Sequence, residues 1–193
     1  MTPSSETNLT RPGTGLSRFP TARDVFEAFP TAYDDIRTKP NGQPPGEFAR
    51  SLAKGPKPEE ALAFCAYFLP RREAVWWGTQ CLRALLAGAT EAEDAALKAA
   101  EAWVFQPYED NRKTADRIGM TANRHTASTW LARAAAWSGG RFLCDGTGEG
   151  RRVPAHFTAQ AVRTALMIAL AGKRDRGEEV TQCVARGLMI AQC

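Results

Sequence analysis

"PRREAVWWGTQCLRALLAG", residues 70–88, carries the periodicity that decides the fold. At 100° per residue, Ala74, Val75, Cys81, Leu82, Leu85 and Leu86 gather on one side of a helical wheel, the repeat of an amphipathic α-helix. Pro70 suits a first helical position, where a backbone N–H would lack an intrahelical acceptor anyway. Trp77 falls at the edge of the apolar arc. Trp76 falls nearly opposite its centre, on a face shared with Arg72, Thr79, Gln80 and Arg83. Arg71 and Arg72 are the anomaly: in a first turn they meet the positive end of the helix dipole, so local electrostatics disfavours them. Arg71 points back towards the apolar side, where an acid such as Glu59 or Glu60 could pair with it.

The same period recurs outward from this stretch. "TARDVFEAF" (21–29) opens with Thr21 and Asp24 in a capping-box arrangement and is closed by Pro30. "GEFARSLAKG" (46–55) reads as a short helix ended by glycine, and "PEEALAFCAYFL" (58–69) as a helix meeting the next in a tight corner at Pro70. Thr90 caps "EAEDAALKAAEAWVFQ" (91–106), in which Ala96, Ala100, Trp103 and Val104 form one stripe. "YEDNRKTADRIG" (108–119) is more polar, and "NRHTASTWLARAAAW" (123–137) places Ala127, Trp130, Leu131, Ala134 and Trp137 on one face. "FTAQAVRTALMIALAG" (157–172) is apolar nearly all round and is expected to be the central, most buried helix. "EEVTQCVARGLMIAQ" (178–192) carries Val180, Cys183, Val184, Gly187, Leu188 and Ala191 as a packing stripe. No long strand pattern appears. The expected fold is all-α: a single-domain bundle of about eight helices in antiparallel pairs, with one long irregular loop over residues 138–156. Residues 1–18, polar and rich in Pro, Gly and Thr, read as a disordered tail ahead of a helical domain over 19–193.

A chain of 193 residues is one domain, long enough to bury about two thirds of its unfolded surface. Hydrophobic and charged fractions of 44% and 24% indicate neither wholesale disorder nor a membrane protein. The N-terminus has no apolar core of a secretory signal, so the expected location is cytoplasmic, with no membrane partner. Five cysteines, an odd number without paired spacing, read as reduced thiols. A net charge of +4 is mild, and acids interrupt the short basic clusters "GEGRRVP" and "GKRDRG", so nucleic acid is not an expected partner.

Catalysis finds little footing. Only His125 and His156 could serve a nucleophile or metal scheme, and the one loop constellation is Cys144, Asp145 and His156, without a family-specific nucleophile signature. "GTGEG" (146–150) lacks the lysine and flanking elements of a phosphate loop. No clustered ligand spacing suggests a metal, no cofactor is implied, and no catalytic residue is expected. A tryptophan beside arginines on a polar helix face instead reads as a binding hot spot, with Arg72, Trp76, Gln80 and Arg83 as protein-binding residues. The competing reading is that a second helix covers this face.

"FPTARDVFEAFP", "LPRREAVWWGTQCLRA", "AWSGG" (136–140) and "VPAHFTAQAVRTALMIAL" occur in this order over nearly the whole globular part. Together they resemble a small uncharacterised all-helical bacterial family whose genes lie in type VI secretion clusters beside spike proteins, PAAR-like tip proteins and effector-loading adaptors. Pro70, Arg71, Arg72, Glu73, Trp76 and Trp77 carry the first motif, and Trp137 and Gly139 the second. The family's proline-rich lead into the penultimate helix is reduced here to Pro154. The resemblance implies company and no reaction: an accessory, adaptor or chaperone binding an effector, spike or tip protein. The alternatives are a small Cys-dependent enzyme or effector using the 139–156 loop, and an immunity protein, which the net positive charge disfavours.

Overall fold

The computed structural model describes residues 19–139 and 153–192. The expected tail over 1–18 and most of the expected loop lie outside them. Among the described residues ten helices follow one another: α1 (Ala22–Ala28), α2 (Ala32–Asp35), α3 (Pro45–Ala53), α4 (Glu59–Phe68), α5 (Arg71–Leu85), α6 (Glu91–Phe105), α7 (Glu109–Thr121), α8 (Ala127–Ser138), α9 (His156–Leu170) and α10 (Arg176–Gln192). The count exceeds the expected eight partly because α2 is a single turn, too short for any apolar period to register. No helix among the described residues is long and apolar enough to cross a membrane.

Local chemistry starts these helices where the residues ask for it. Thr21 and Thr90 each accept from the backbone three residues on, while Asp24 and Glu93 return the bond to the cap backbone. Pro70 sits in an extended conformation immediately before α5, leaving Arg71 and Arg72 as the first helical residues.

α5 and α8 form the centre. α8 packs against α5, α6, α7 and α9, and α5 against α6, α8, α9 and α10. Their directions follow from who meets whom. The start of α5 meets the end of α8 through Arg71 and Ser138, while Gly78 meets Leu131, so the two helices run antiparallel. A Cβ on Gly78 would stand 2.6 Å from Leu131 Cδ1 and 3.3 Å from Val162 Cγ1, so the hydrogen side chain sets how closely α5 approaches α8 and α9. α5 and α6 are antiparallel too: Arg72 reaches the end of α6, and Arg83 reaches Asp94 near its start.

The most buried helices are α4 and α8, and this corrects the expectation for α9. α4 is buried at every position from Glu60 to Phe68, and α8 keeps only Trp130 and Trp137 partly exposed. α9 turns Gln160, Arg163, Thr164 and Met167 outward to an intermediate degree, because α4, α5 and α8 cover its other side. The α10 stripe of Val180, Cys183, Val184, Gly187, Leu188 and Ala191 is buried as its spacing requires.

One buried acid ties the N-terminal segment to this core. Glu60, 6% exposed, accepts from the backbone N–H groups of Arg37 at 3.2 Å and Thr38 at 3.1 Å. Burial alone would raise its carboxyl; the hydrogen bonds from Thr38 and Arg37 outweigh it, with Lys57 nearby, and hold it below the usual carboxylate value.

Candidate functional site

The polar side of α5 faces α6. Arg72 donates its Nε–H to the carbonyl of Val104 at 2.6 Å, in the last turn of α6, and Arg71 donates to the carbonyl of Ser138 at 3.2 Å, the last residue of α8. Those carbonyls belong to helix ends, where the last four oxygens lack intrahelical donors and the dipole is negative. The arginines that the first turn of α5 disfavours thus serve the final turns of two neighbours. Glu60, one of the acids considered for Arg71, holds the Arg37–Thr38 backbone instead. Arg112 repeats the device: it reaches the carbonyl of Ala136 at 3.2 Å while Glu109 holds its Nε and Nη2.

The two tryptophans divide. Trp77 is fully buried and donates its indole N–H to the carbonyl of Cys183 on α10 at 2.7 Å. Gly187, one turn further along α10, leaves room for the ring. Trp76 is only partly buried. Its ring meets Phe105 edge-on, centroids 5.2 Å apart at 66°. Phe105 is 65% exposed, and Tyr108, three residues on at the start of α7, is 69% exposed. Trp76 and Phe105 make an aromatic ledge between α5 and α6, and Tyr108 stands exposed at the start of α7.

Beside that ledge, Gln80 is partly buried, and Arg83 closes a charged clasp between the helices. Arg83 donates from Nε and Nη2 to the two oxygens of Glu101 at 2.9 and 3.0 Å, and from Nη1 to Asp94. These bonds raise the Arg83 guanidinium further above its usual range, with Glu101 the larger cause. Bonds from Lys98 first and Arg83 second pull the Asp94 carboxyl down. Of the four expected protein-binding residues, Arg72 and Arg83 therefore bond α6, and Trp76 and Gln80 sit at the same seam. Glu73 is partly exposed in the first turn.

The second motif flanks Ser138, the residue whose carbonyl Arg71 bonds. Trp137 is partly exposed, its ring 5.5 Å from Phe157, and with Trp130, Gln160, Arg163 and Asp35 it lines a groove of about 340 Å³ between α8 and α9. Gly139 follows α8 against Trp103, where an added Cβ would make ordinary contact at 3.7 Å. The motif positions thus do not share one surface: Trp77 is buried, Trp76 lies against α6, Trp137 lines the α8–α9 groove, and Arg71 joins the two motifs at Ser138.

Cys144 and Asp145 lie outside the described residues. Their proposed companion His156 begins α9 with its ring 5.0 Å from Phe157. Among the described residues, no group of three or more His, Cys, Asp or Glu side chains is placed to hold a metal ion.

Sequence reasoning missed Phe105, Tyr108, Asp94 and Glu101. Phe105 follows Val104 directly and so leaves the buried stripe of α6, which marks it for the surface. Asp94 and Glu101 are seven residues apart, two turns on one helix face, a spacing that offers a double acceptor to a single guanidinium.

A search of curated proteins finds no match, and neither does a search of solved structures. Residues 48–191, well over half of the chain, match DUF6931, a family of unknown function, and the chain belongs to that family.

Proposed function

We propose that this protein is a non-catalytic interaction protein that binds a partner protein through the ledge of Trp76 and Phe105, with Tyr108 exposed three residues further on. The observation carrying this reading is the pairing of a partly buried Trp76 with a 65% exposed Phe105. Large aromatic rings left in water on a rigid seam cost free energy that a partner would recover by covering them, and tryptophan and tyrosine are the rings that dominate interface energetics. The clasp of Arg83 with Asp94 and Glu101 would form the polar rim, and Arg72 would remain at the upper edge with its Nε bound to Val104.

The partner class rests on the resemblance carried by "LPRREAVWW": an effector, spike or tip protein of type VI secretion, with this chain as accessory, adaptor or chaperone. The test is affinity capture of the tagged protein from its native lysate with mass spectrometry, run beside Phe105→Ser and Trp76→Ala. Recovery of a secretion component by the wild type and its loss with Phe105→Ser supports the reading. Equal recovery by wild type and Phe105→Ser would remove the ledge from the interface. Recovery of unrelated proteins alone would remove the type VI assignment.

A further inference from the structure

Three cations outside the family-matched stretch face one cavity. Arg23 and Glu27 on α1, Tyr33 on α2, and Ile36, Arg37, Lys39 and Pro40 on the segment after it line an open cavity of about 520 Å³, a volume within the range of small-molecule sites. The segment is anchored from beneath. Ile36 is 1% exposed, and the backbone N–H groups of Arg37 and Thr38 are both held by Glu60. The backbone carrying Arg37 and Lys39 is therefore tied down at the base of the cavity, which lowers the ordering cost of binding.

The charge balance is what distinguishes this cavity from ordinary surface. Asp24 is committed to Thr21, through its backbone N–H and its hydroxyl, both at 2.7 Å. Asp35 is committed to the Tyr67 hydroxyl at 2.8 Å and to Arg163 at 3.2 Å. Glu60 is committed to the two N–H groups just described, and Asp34 is exposed on α2 but does not line the cavity. Three cations thus share the cavity with the single carboxylate of Glu27. Tyr33 is 47% exposed, with its ring tilted against Phe26 at a centroid distance of 4.7 Å, so one side of an aromatic ring is supported and the rest is open.

We infer that this cavity binds a nucleoside polyphosphate. Arg23, Arg37 and Lys39 receive the phosphates, the guanidinium groups by paired N–H bonds and the ammonium as a point charge. The exposed part of Tyr33 receives the base by stacking, a contact that tolerates any base because every base has a π-face. Glu27, an acceptor with no other assigned role in the cavity, takes the ribose hydroxyls. The assignment goes beyond the aromatic ledge and is independent of it.

The full chain is titrated calorimetrically with ADP, pyrophosphate and adenosine at low and moderate NaCl. ADP is expected to bind, more weakly as salt rises, and more tightly than either fragment. The double variant Arg37→Ala/Lys39→Ala is expected to weaken ADP by at least about tenfold, the loss of one or more charge-assisted bonds, with an unchanged unfolding midpoint since both side chains are exposed. Tyr33→Ala is expected to weaken ADP and leave pyrophosphate unchanged. Three results would overturn the inference: no heat with ADP, pyrophosphate binding as tightly as ADP, or an equal loss in the control Lys113→Ala/Arg117→Ala on the exposed face of α7.

Discussion

Arg72 Nε lies 2.6 Å from the carbonyl oxygen of Val104, so a cation at the beginning of α5 caps the end of α6. Placing that cation in a first turn costs about 0.3–1 kcal/mol against the α5 dipole. A hydrogen bond from a charged donor to an orphaned carbonyl contributes about 1.5–3 kcal/mol, and less where solvent reaches it. The second effect exceeds the first, which accounts for arginine at a position that helix electrostatics alone disfavours.

Arg72→Ala is accordingly expected to lower stability by about 1 kcal/mol in urea denaturation. Arg72→Lys should recover only part of this, because an ammonium lacks the planar, directional N–H of the guanidinium. An alanine variant as stable as the wild type would mean that water caps Val104 equally well.

The adjacent tryptophans should separate cleanly in the same experiment. Trp77→Ala removes a fully buried ring and its bond to Cys183, and is expected to cost about 3–5 kcal/mol; Trp77→Phe, which keeps most of the volume, should cost clearly less. Trp76→Ala, on the exposed seam, should cost about 1 kcal/mol. Equal losses at the two positions would contradict the division between core and surface.

Gly187→Ala tests the seat of that buried ring. A Cβ there would stand 3.1 Å from Trp77 Nε1 and 3.3 Å from Cε2. Alanine gains about 1 kcal/mol of helix propensity over glycine, but overpacking costs about 1–3 kcal/mol, and Trp77 is pinned by its hydrogen bond to the same helix. The expected outcome is a net loss, read as a lower unfolding midpoint. A rise would mean that α10 can shift away from α5 without penalty.

Glu60 predicts a pH dependence with a definite sign. Its carboxyl is held below the value of 4.5 that it has when exposed, so the ionised form stabilises the fold at neutral pH. That contribution is complete above about 4.5 and is lost as pH falls through the lower, folded-state value. Glu60→Gln leaves one of the two N–H groups facing an amide NH₂ and should cost about 1–3 kcal/mol at pH 7. The gap between variant and wild type, followed by urea denaturation from pH 7 to 3, should narrow below 4.5; a constant gap would assign the loss to packing.

Thiol chemistry should report the integrity of the core. Cys65, Cys81 and Cys183 are all buried. Burial pushes the Cys65 thiol up to about 12, with Cys183 adding to the shift. The hydrogen bond between Cys81 and Cys183 raises the first thiol and lowers the second. Alkylation with iodoacetamide at pH 8 followed by peptide mapping should leave all three unmodified in the native protein and modify them in urea. Labelling of Cys183 alone under native conditions would show that α10 opens locally.

The helical architecture was legible because apolar spacing and caps are local properties. The α10 stripe, the α6 stripe and the Thr21 and Thr90 caps could all be read without neighbours. The burial of α9 could not, because its composition permits burial on every side and only the placement of α4, α5 and α8 decides which sides are covered. The candidate site was legible in part: Trp76 was marked by its angle on the wheel, whereas its contact with Phe105 joins residues on two helices.

The sequence by itself determined that the chain is helical, where its main helices begin, and which residues α6 and α10 turn inward, since a repeat of 3.6 residues and a capping side chain act within a few positions of themselves. Tertiary structure alone decided what Arg71, Arg72 and Arg83 are for. Their acceptors are the carbonyls of Ser138 and Val104 and the carboxylates of Glu101 and Asp94, which lie on other helices. Local spacing can state that an arginine is out of place in a first turn, but only the packing of helix ends against one another supplies the negative charge that makes the place suitable.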